Sequence, residues 1–136
     1  MQKLTISEDQ KKLNKALHKD DRYGNREAAA GLAKHLPEVL DRLYELGFCS
    51  SFLDYGTGKG KLIENLKANT NSPIKIEGYD PAVAQFSSLP SGSFDILSCL
   101  DVLEHVELAS IDHVLKEISS LTKNFCYLVI IWKKNF

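Results

Sequence analysis

A glycine-rich turn follows directly on an apolar run in the middle of the chain. The run Phe52–Tyr55 leads into the pattern D-x-G-x-G-x-G, which begins at Asp54 and places glycines at Gly56, Gly58 and Gly60. Because glycine has no Cβ, the backbone can turn sharply and a ligand can lie against the main chain, while a helix that starts here offers unpaired N–H groups. The pattern predicts a nucleotide or nucleoside site. The simpler interpretation is a tight strand-to-helix connection.

The spacing of the glycines separates this turn from two common phosphate-binding motifs. In the dinucleotide fingerprint G-x-G-x-x-G, the third glycine follows the second by three residues, whereas Gly60 follows Gly58 by two. A P-loop closes on Gly-Lys-Ser/Thr, whereas here Lys59 precedes Gly60. A dehydrogenase is therefore only a third hypothesis, and a P-loop nucleotide hydrolase is disfavoured.

An acidic residue, Asp80, ends the next apolar run, twenty positions after Gly60. A carboxylate in this place can accept two hydrogen bonds from the vicinal hydroxyls of a ribose. The alternative is a local role, in which Asp80 caps the backbone before a short turn. The coincidence with the glycine turn favours the ribose interpretation.

A third group of polar residues, Asp101, Glu104 and His105, follows the apolar run Phe94–Leu100. Open α/β sheets place their ligands beyond the carboxyl ends of the strands. Imidazole titrates near neutral pH, so His105 is the candidate catalytic residue, a general base for an attacking hydroxyl or amine. The alternatives are a hard cation such as Mg²⁺ held with further oxygens, or a purely structural loop. We assign no metal.

In identity and order these residues resemble class I S-adenosylmethionine-dependent methyltransferases. The glycine turn looks like motif I of that family, and the string LP…SFDILSCLDVLEHV, from Leu89 to Val106, resembles its fourth strand and the following loop. The resemblance covers about Phe52 to Trp132. It implies S-adenosylmethionine as cofactor, with Asp80 on the ribose and Asp54 near the methionine end. The implied cofactor-binding residues are Asp54, Tyr55, Gly56, Thr57, Gly58, Gly60, Asp80, Pro81, Ser87, Leu100 and Asp101.

Two departures from family patterns refine the expected function. Many relatives have an acidic residue for the adenine amine shortly before the Leu-Pro pair, but Phe86, Ser87 and Ser88 stand here, so stacking, backbone groups or the Ser87 hydroxyl must hold adenine. The Asp/Asn-Pro-Pro-Tyr/Phe signature of DNA amino methyltransferases is absent from the segment Leu100–Leu103. We expect methyl transfer to an unidentified small molecule or protein. The alternative is a non-catalytic or truncated binding module that acts with a partner.

Around these motifs the hydrophobic periodicity alternates between strand and helix, which predicts an α/β fold, a Rossmann-like three-layer sandwich with a mostly parallel sheet. One domain, 1–136, is expected, with N-terminal helices in 1–47 and a cofactor-binding core in 51–132. The predicted helices are Ser7–Lys19, a helix from Pro37 that stops at Gly47, one near Lys59–Ala68 and one near Ile111–Thr122. The predicted strands are Ser51–Tyr55, Ile74–Tyr79, Phe94–Leu100 and Phe125–Trp132.

Composition narrows the classes of partner and compartment. The net charge of −1 provides no field for a polyanion, so no nucleic-acid partner is indicated. No apolar run approaches the ~18 residues of a membrane span, and no membrane partner is expected. Three widely spaced cysteines, Cys49, Cys99 and Cys126, match neither a disulfide framework nor a C-x-x-C site, which is typical of the cytoplasm.

Class I methyltransferases, which the chain resembles, normally continue into another helix and an antiparallel strand pair. Here only four residues follow Trp132. The fold is therefore expected to lack the usual last two strands and to leave its last strand as an apolar edge. Three explanations stay open: a minimal protein of the kind that viruses encode, a truncated gene product, or a subunit. In the last case an oligomer or a partner subunit would form through the exposed strand.

Overall fold

Strands and helices alternate along the described part of the computed structural model, residues 7–9, 12, 31 and 34–131. The elements in chain order are α1 (Leu36–Glu45), β1 (Ser51–Tyr55), α2 (Lys61–Asn69), β2 (Lys75–Tyr79), β3 (Phe94–Leu100), α3 (Ile111–Leu121) and β4 (Thr122–Val129). Short 3₁₀ helices lie at Ala84–Phe86, Leu103–His105 and Leu108–Ser110. This order confirms the alternation that the sequence predicts.

The four strands form one sheet in the order β2-β1-β3-β4, and every neighbouring pair is parallel. Because all four strands are parallel, their carboxyl ends lie at the same end of the sheet. This carboxyl end therefore carries the glycine turn after β1, Asp80 after β2 and Asp101 after β3. The predicted Rossmann-like α/β fold is confirmed.

Two apolar cores hold the layers together, one on each face of the sheet. Helices α1 and α2 cover one face with Leu40, Leu62 and Leu66 against Phe52 and Ile96. Helix α3 covers the other face, because its buried Val114, Ile118 and Leu121 recur at helical spacing and pack on Leu53 and Leu97. Each such side chain contributes roughly 1.5–3 kcal/mol when it leaves water.

At the amino-terminal end of the sheet, hydrogen bonds to Asp95 connect three segments of the chain. Its Oδ2 accepts hydrogen bonds from the Ser50 backbone N–H at 2.8 Å and the Ser50 hydroxyl at 2.9 Å. Its Oδ1 accepts from Asn124 Nδ2 at 3.3 Å. The segment before β1, the start of β3 and the start of β4 are thus connected by one buried carboxylate.

Several predicted boundaries shift by a few residues. The last predicted strand, Phe125–Trp132, is observed at Thr122–Val129, because α3 ends at Leu121 and the chain enters the strand directly. Thr122 adopts extended backbone angles and donates its hydroxyl to the Ile118 carbonyl at 2.7 Å, which closes the helix. The predicted helix Ser7–Lys19 lies mostly outside the described residues, although Glu8, Asp9 and Lys12 are helical.

Candidate functional site

The glycine turn depends on backbone angles that other residues avoid. Gly56, Gly58 and Gly60 have φ values of 77°, 59° and 75°, in the left-handed region. The N–H groups of Gly56 and Thr57 donate to the Tyr79 carbonyl at 2.7 and 3.1 Å. The turn is therefore attached to the end of β2 as well as to β1.

Asp80 lies directly against this turn. Its Oδ2 accepts a hydrogen bond from the Gly58 N–H at 3.0 Å, and its Oδ1 accepts one from the Ala82 N–H at 2.9 Å. The second bond is the local turn that sequence reasoning kept as an alternative, so Asp80 supports its own loop as well. A carboxylate oxygen can accept more than one hydrogen bond, so the chemistry of this group suits ligand hydroxyls as well as the turn.

Asp54 is buried beneath the turn, where Ser98 donates its hydroxyl to Oδ1 at 2.7 Å. Desolvation raises the pKa of this carboxyl to about 6, against the lowering effect of the Ser98 bond. Sequence reasoning missed Ser98. The available signal was a hydroxyl inside the apolar run of β3, but only the β1–β3 register shows that it pairs with Asp54.

The loop after β3 is conformationally strained and tied to the end of β4. Asp101 has φ of 56°, which costs a non-glycine residue on the order of 1–3 kcal/mol, and its N–H donates to the Val129 carbonyl at 2.8 Å. Asp101 Oδ1 and Glu104 Oε2 are buried and have no hydrogen-bond partner among the described residues. Glu104 Oε1 accepts from the Ile131 N–H at 3.4 Å.

His105 closes the 3₁₀ helix in this loop. Its N–H donates to the Val102 carbonyl at 2.9 Å, and its side chain is partly buried. Its role as a general base stays a prediction. Among residues 34–131 and the few described before them, no group of three or more His, Cys, Asp and Glu side chains is arranged to hold a metal ion.

Other predicted site residues face different surroundings. The Tyr55 side chain points into the core under α3, where its hydroxyl donates to Glu117 Oε1 at 2.6 Å, so only its backbone belongs to the turn. Ser87 is exposed and donates its hydroxyl to the Ala84 carbonyl at 3.0 Å. Thr57 is buried, and Pro81 and Leu100 are partly buried.

Two apolar side chains pack directly on the backbone of the glycines. A Cβ on Gly60 would stand 2.6 Å from the Phe86 ring, and a Cβ on Gly56 would stand 2.3 Å from a methyl group of Val102. The Phe86 carbonyl also accepts from the Asp80 N–H at 2.9 Å. Phe86 further lines a cavity of about 390 Å³ with Leu89 and Pro90, beside β2.

No helix in the described part of the chain has the length and apolarity to cross a membrane. A family model described as a methyltransferase domain matches residues 10–131. No curated protein and no solved structure matches the chain significantly.

Proposed function

The chain belongs to the methyltransferase-domain family, and from this premise we propose that it binds S-adenosylmethionine and transfers the methyl group to a small molecule or a protein. One observation carries the proposal. The carboxylate of Asp80 and the left-handed glycine turn, separated by twenty residues in sequence, are joined through the Gly58 N–H at 3.0 Å. The main chain of the turn thus lies next to an acceptor suited to ribose hydroxyls.

The two ends of the cofactor would meet different side chains. Asp54, buried beneath the turn where desolvation raises its pKa to about 6, is the carboxylate that we assign to the ammonium of the methionine portion. Toward the adenine, Phe86 provides an aromatic ring beside Gly60. The Ser87 hydroxyl must leave the Ala84 carbonyl before it can contribute.

The chemistry asks little of the protein beyond alignment. S-adenosylmethionine, when bound, supplies an already activated methyl group. The chain's own residues orient the acceptor in line with that group, which lowers the entropic part of the barrier. His105 takes the proton that an attacking hydroxyl or amine releases. The free cysteines favour a reducing cytoplasm as the site of this activity.

Calorimetry with S-adenosylhomocysteine tests the proposal. We expect saturable binding that Asp80→Ala weakens about 10- to 100-fold, since a charged acceptor of hydroxyl groups is lost. Asp41→Ala is the matched control. The Asp41 carboxylate also accepts hydrogen bonds from two backbone N–H groups, those of Asn71 and Ser72, at 3.0 and 2.8 Å, but at the amino-terminal end of the sheet. The affinity of that variant should equal wild type.

Absence of S-adenosylhomocysteine binding would contradict the proposal. So would an equal loss of affinity in both variants, because that result would mean that Asp80 acts only through its support of the fold. Thermal unfolding of both variants, measured alongside, shows whether their losses of stability are comparable.

A second candidate function, a non-catalytic binding module, is favoured by the packing of Phe86 and Val102 on the glycine turn. Here the glycines serve close packing of the chain itself. A tritiated-methyl transfer assay against cell extract separates the candidates. Labelled product from the chain alone supports the transferase, whereas product that needs an added partner, or no product at all, supports the module.

A further inference from the structure

Strand β4 exposes large apolar side chains on both faces of the sheet. Phe125 and Tyr127 are 58% and 50% exposed on the face that α1 and α2 cover elsewhere, as their pairing with Ile96 and Ser98 shows. Leu128 is 43% exposed on the face of α3. Phe48, 55% exposed, adjoins the strand because Asn124 donates to its carbonyl at 3.4 Å. We call Phe48, Phe125, Tyr127 and Leu128 the β4 surface.

The backbone of β4 also has an open side. Among the described residues it pairs only with β3. The Val129 carbonyl accepts from Asp101, so in the regular part of the strand, from Phe125 onward, the odd-numbered residues direct their N–H and C=O groups toward β3. Cys126 and Leu128 therefore direct theirs outward. Natural edge strands are usually protected by charges or prolines, yet the only charged residue of β4 is Lys123 near its start.

We propose that two copies of this chain pair through β4 in antiparallel orientation and form one continuous eight-stranded sheet. Polarity favours a second copy as the occupant, because from Asn124 to Ile131 the chain carries no charged residue. A partner with a charged strand would bury its charges against aromatic rings, at a high desolvation cost. A second copy presents the same uncharged strand.

The register follows from the strand itself. Outward-facing residues must pair with outward-facing residues, and nearly the whole strand pairs when Cys126 lies opposite Cys126 of the second copy. Phe125 then lies opposite Tyr127 of the second copy, and the two-fold axis repeats this aromatic pair. Such cross-strand pairs each contribute about 0.2–1 kcal/mol. In the antiparallel arrangement the Lys123 residues of the two copies lie at opposite ends of the paired strands, so no like charges meet.

The exposed side chains of the β4 surface supply part of the area that a dimer buries. A half-exposed aromatic side chain withdraws roughly 100 Å² from water, so Phe48, Phe125 and Tyr127 together supply about 300 Å² per copy. Leu128, the exposed Ile130 and Ile131, and the strand backbone add to this. A standard interface buries about 800 Å² per partner. The β4 surface alone therefore supplies a large part of what a specific dimer needs.

Sedimentation equilibrium of the full chain tests the proposal. We expect a mass about twice the 15.2 kDa of the chain. Phe125→Lys and Tyr127→Lys should each weaken the dimer at least about tenfold, since every substitution places two charges in the apolar contact. Leu108→Lys is the control, because Leu108 is 89% exposed and lies outside β4. It should leave the dimer intact.

Cysteine crosslinking tests the register. Cys126 is exposed, whereas Cys49 and Cys99 are buried, and directly opposite residues in an antiparallel pair have Cα atoms about 5.5 Å apart, within disulfide range. Copper phenanthroline, an oxidant of thiols, should join two chains, and Cys126→Ser should abolish the product. A monomer at the highest soluble concentration would overturn the proposal. A dimer that survives both lysine substitutions, or that fails to crosslink, would do so as well.

Discussion

Asp54 is a buried acid whose pKa, raised to about 6 by desolvation, makes stability depend on pH. In the unfolded chain its pKa is 3.8, so between about pH 4 and pH 6 the folded state holds a proton that the unfolded state has released. The stability contribution of the protonated group is fully present below pH 3.8 and is lost as pH rises through 6. Asp54→Asn removes this loss. Urea unfolding should show the variant gaining roughly 2–4 kcal/mol relative to wild type between pH 4 and pH 7.

Asp41 provides a control of opposite sign. The backbone hydrogen bond from Asn71 lowers the pKa of its carboxyl, so its contribution is present above pH 3.8 and is lost as pH falls. Asp41→Asn should therefore lose stability relative to wild type at neutral pH, and less in acid. An Asp54→Asn difference that is flat with pH would show that the carboxyl is not held in a desolvated site.

At the scale of residues, local pattern indicates which groups lie close together, while their functional roles stay predictions. The glycine turn and Asp80 were predicted to act together, and the structure joins them at 3.0 Å. The sequence did not predict that Ser98 contacts Asp54 or that Phe86 packs on Gly60. The first depends on which residues β1 and β3 place side by side, and the second on how the loop after β2 folds back over Gly60. Neither is encoded by spacing along the chain.

At the scale of elements, Asp95 joins the segments that begin three parts of the core. Asp95→Ala removes the acceptor that the Ser50 N–H and hydroxyl and the Asn124 amide share, so we expect a loss of about 1–3 kcal/mol in the free energy of unfolding. The affinity for S-adenosylhomocysteine should stay unchanged, because Asp95 lies at the amino-terminal end of the sheet and the glycine turn lies at its carboxyl end. Urea titration and calorimetry measure the two effects.

Lys123→Ala is the control for this prediction. Its Nζ stands 3.9 Å from Asp95 Oδ1 and is largely exposed, so removing it should cost under about 1 kcal/mol. If both variants lost the same free energy of unfolding, the ion pair, and not the hydrogen bonds to Ser50 and Asn124, would stabilise the amino-terminal end of the sheet.

The elements themselves were largely predictable, because each has a strong period. Helix α3 buries Val114, Ile118 and Leu121 at helical spacing, although Leu115 is 41% exposed, and β1 and β3 have the predicted bounds. The last strand was placed three residues late, since a helix that passes directly into a strand leaves no turn residues to mark the boundary. Its exposure on both faces was not predicted by its hydrophobicity. That property depends on which helices cover it, a matter of tertiary packing.

At the scale of the whole molecule, the strand of the proposed dimer interface is hydrogen-bonded to a loop of the candidate site. The last residue of β4, Val129, accepts from Asp101, and Ile131 beyond it donates to Glu104. A strand fixed by a second copy would hold the strained loop after β3 more firmly. Assembly and the order of the site are therefore expected to be coupled.

Thermal unfolding at several protein concentrations reports on the molecule as a unit. If folded chains pair and unfolded chains do not, mass action stabilises the folded state as concentration rises. A tenfold increase contributes about 1.4 kcal/mol per dimer, or about 0.7 kcal/mol per chain, and should raise Tm by about 2–4 °C in a domain of this size. Phe125→Lys should remove this dependence and Leu108→Lys should retain it. A wild-type Tm that is constant across concentrations would show that the folded chain is a monomer and that the β4 surface is open in solution.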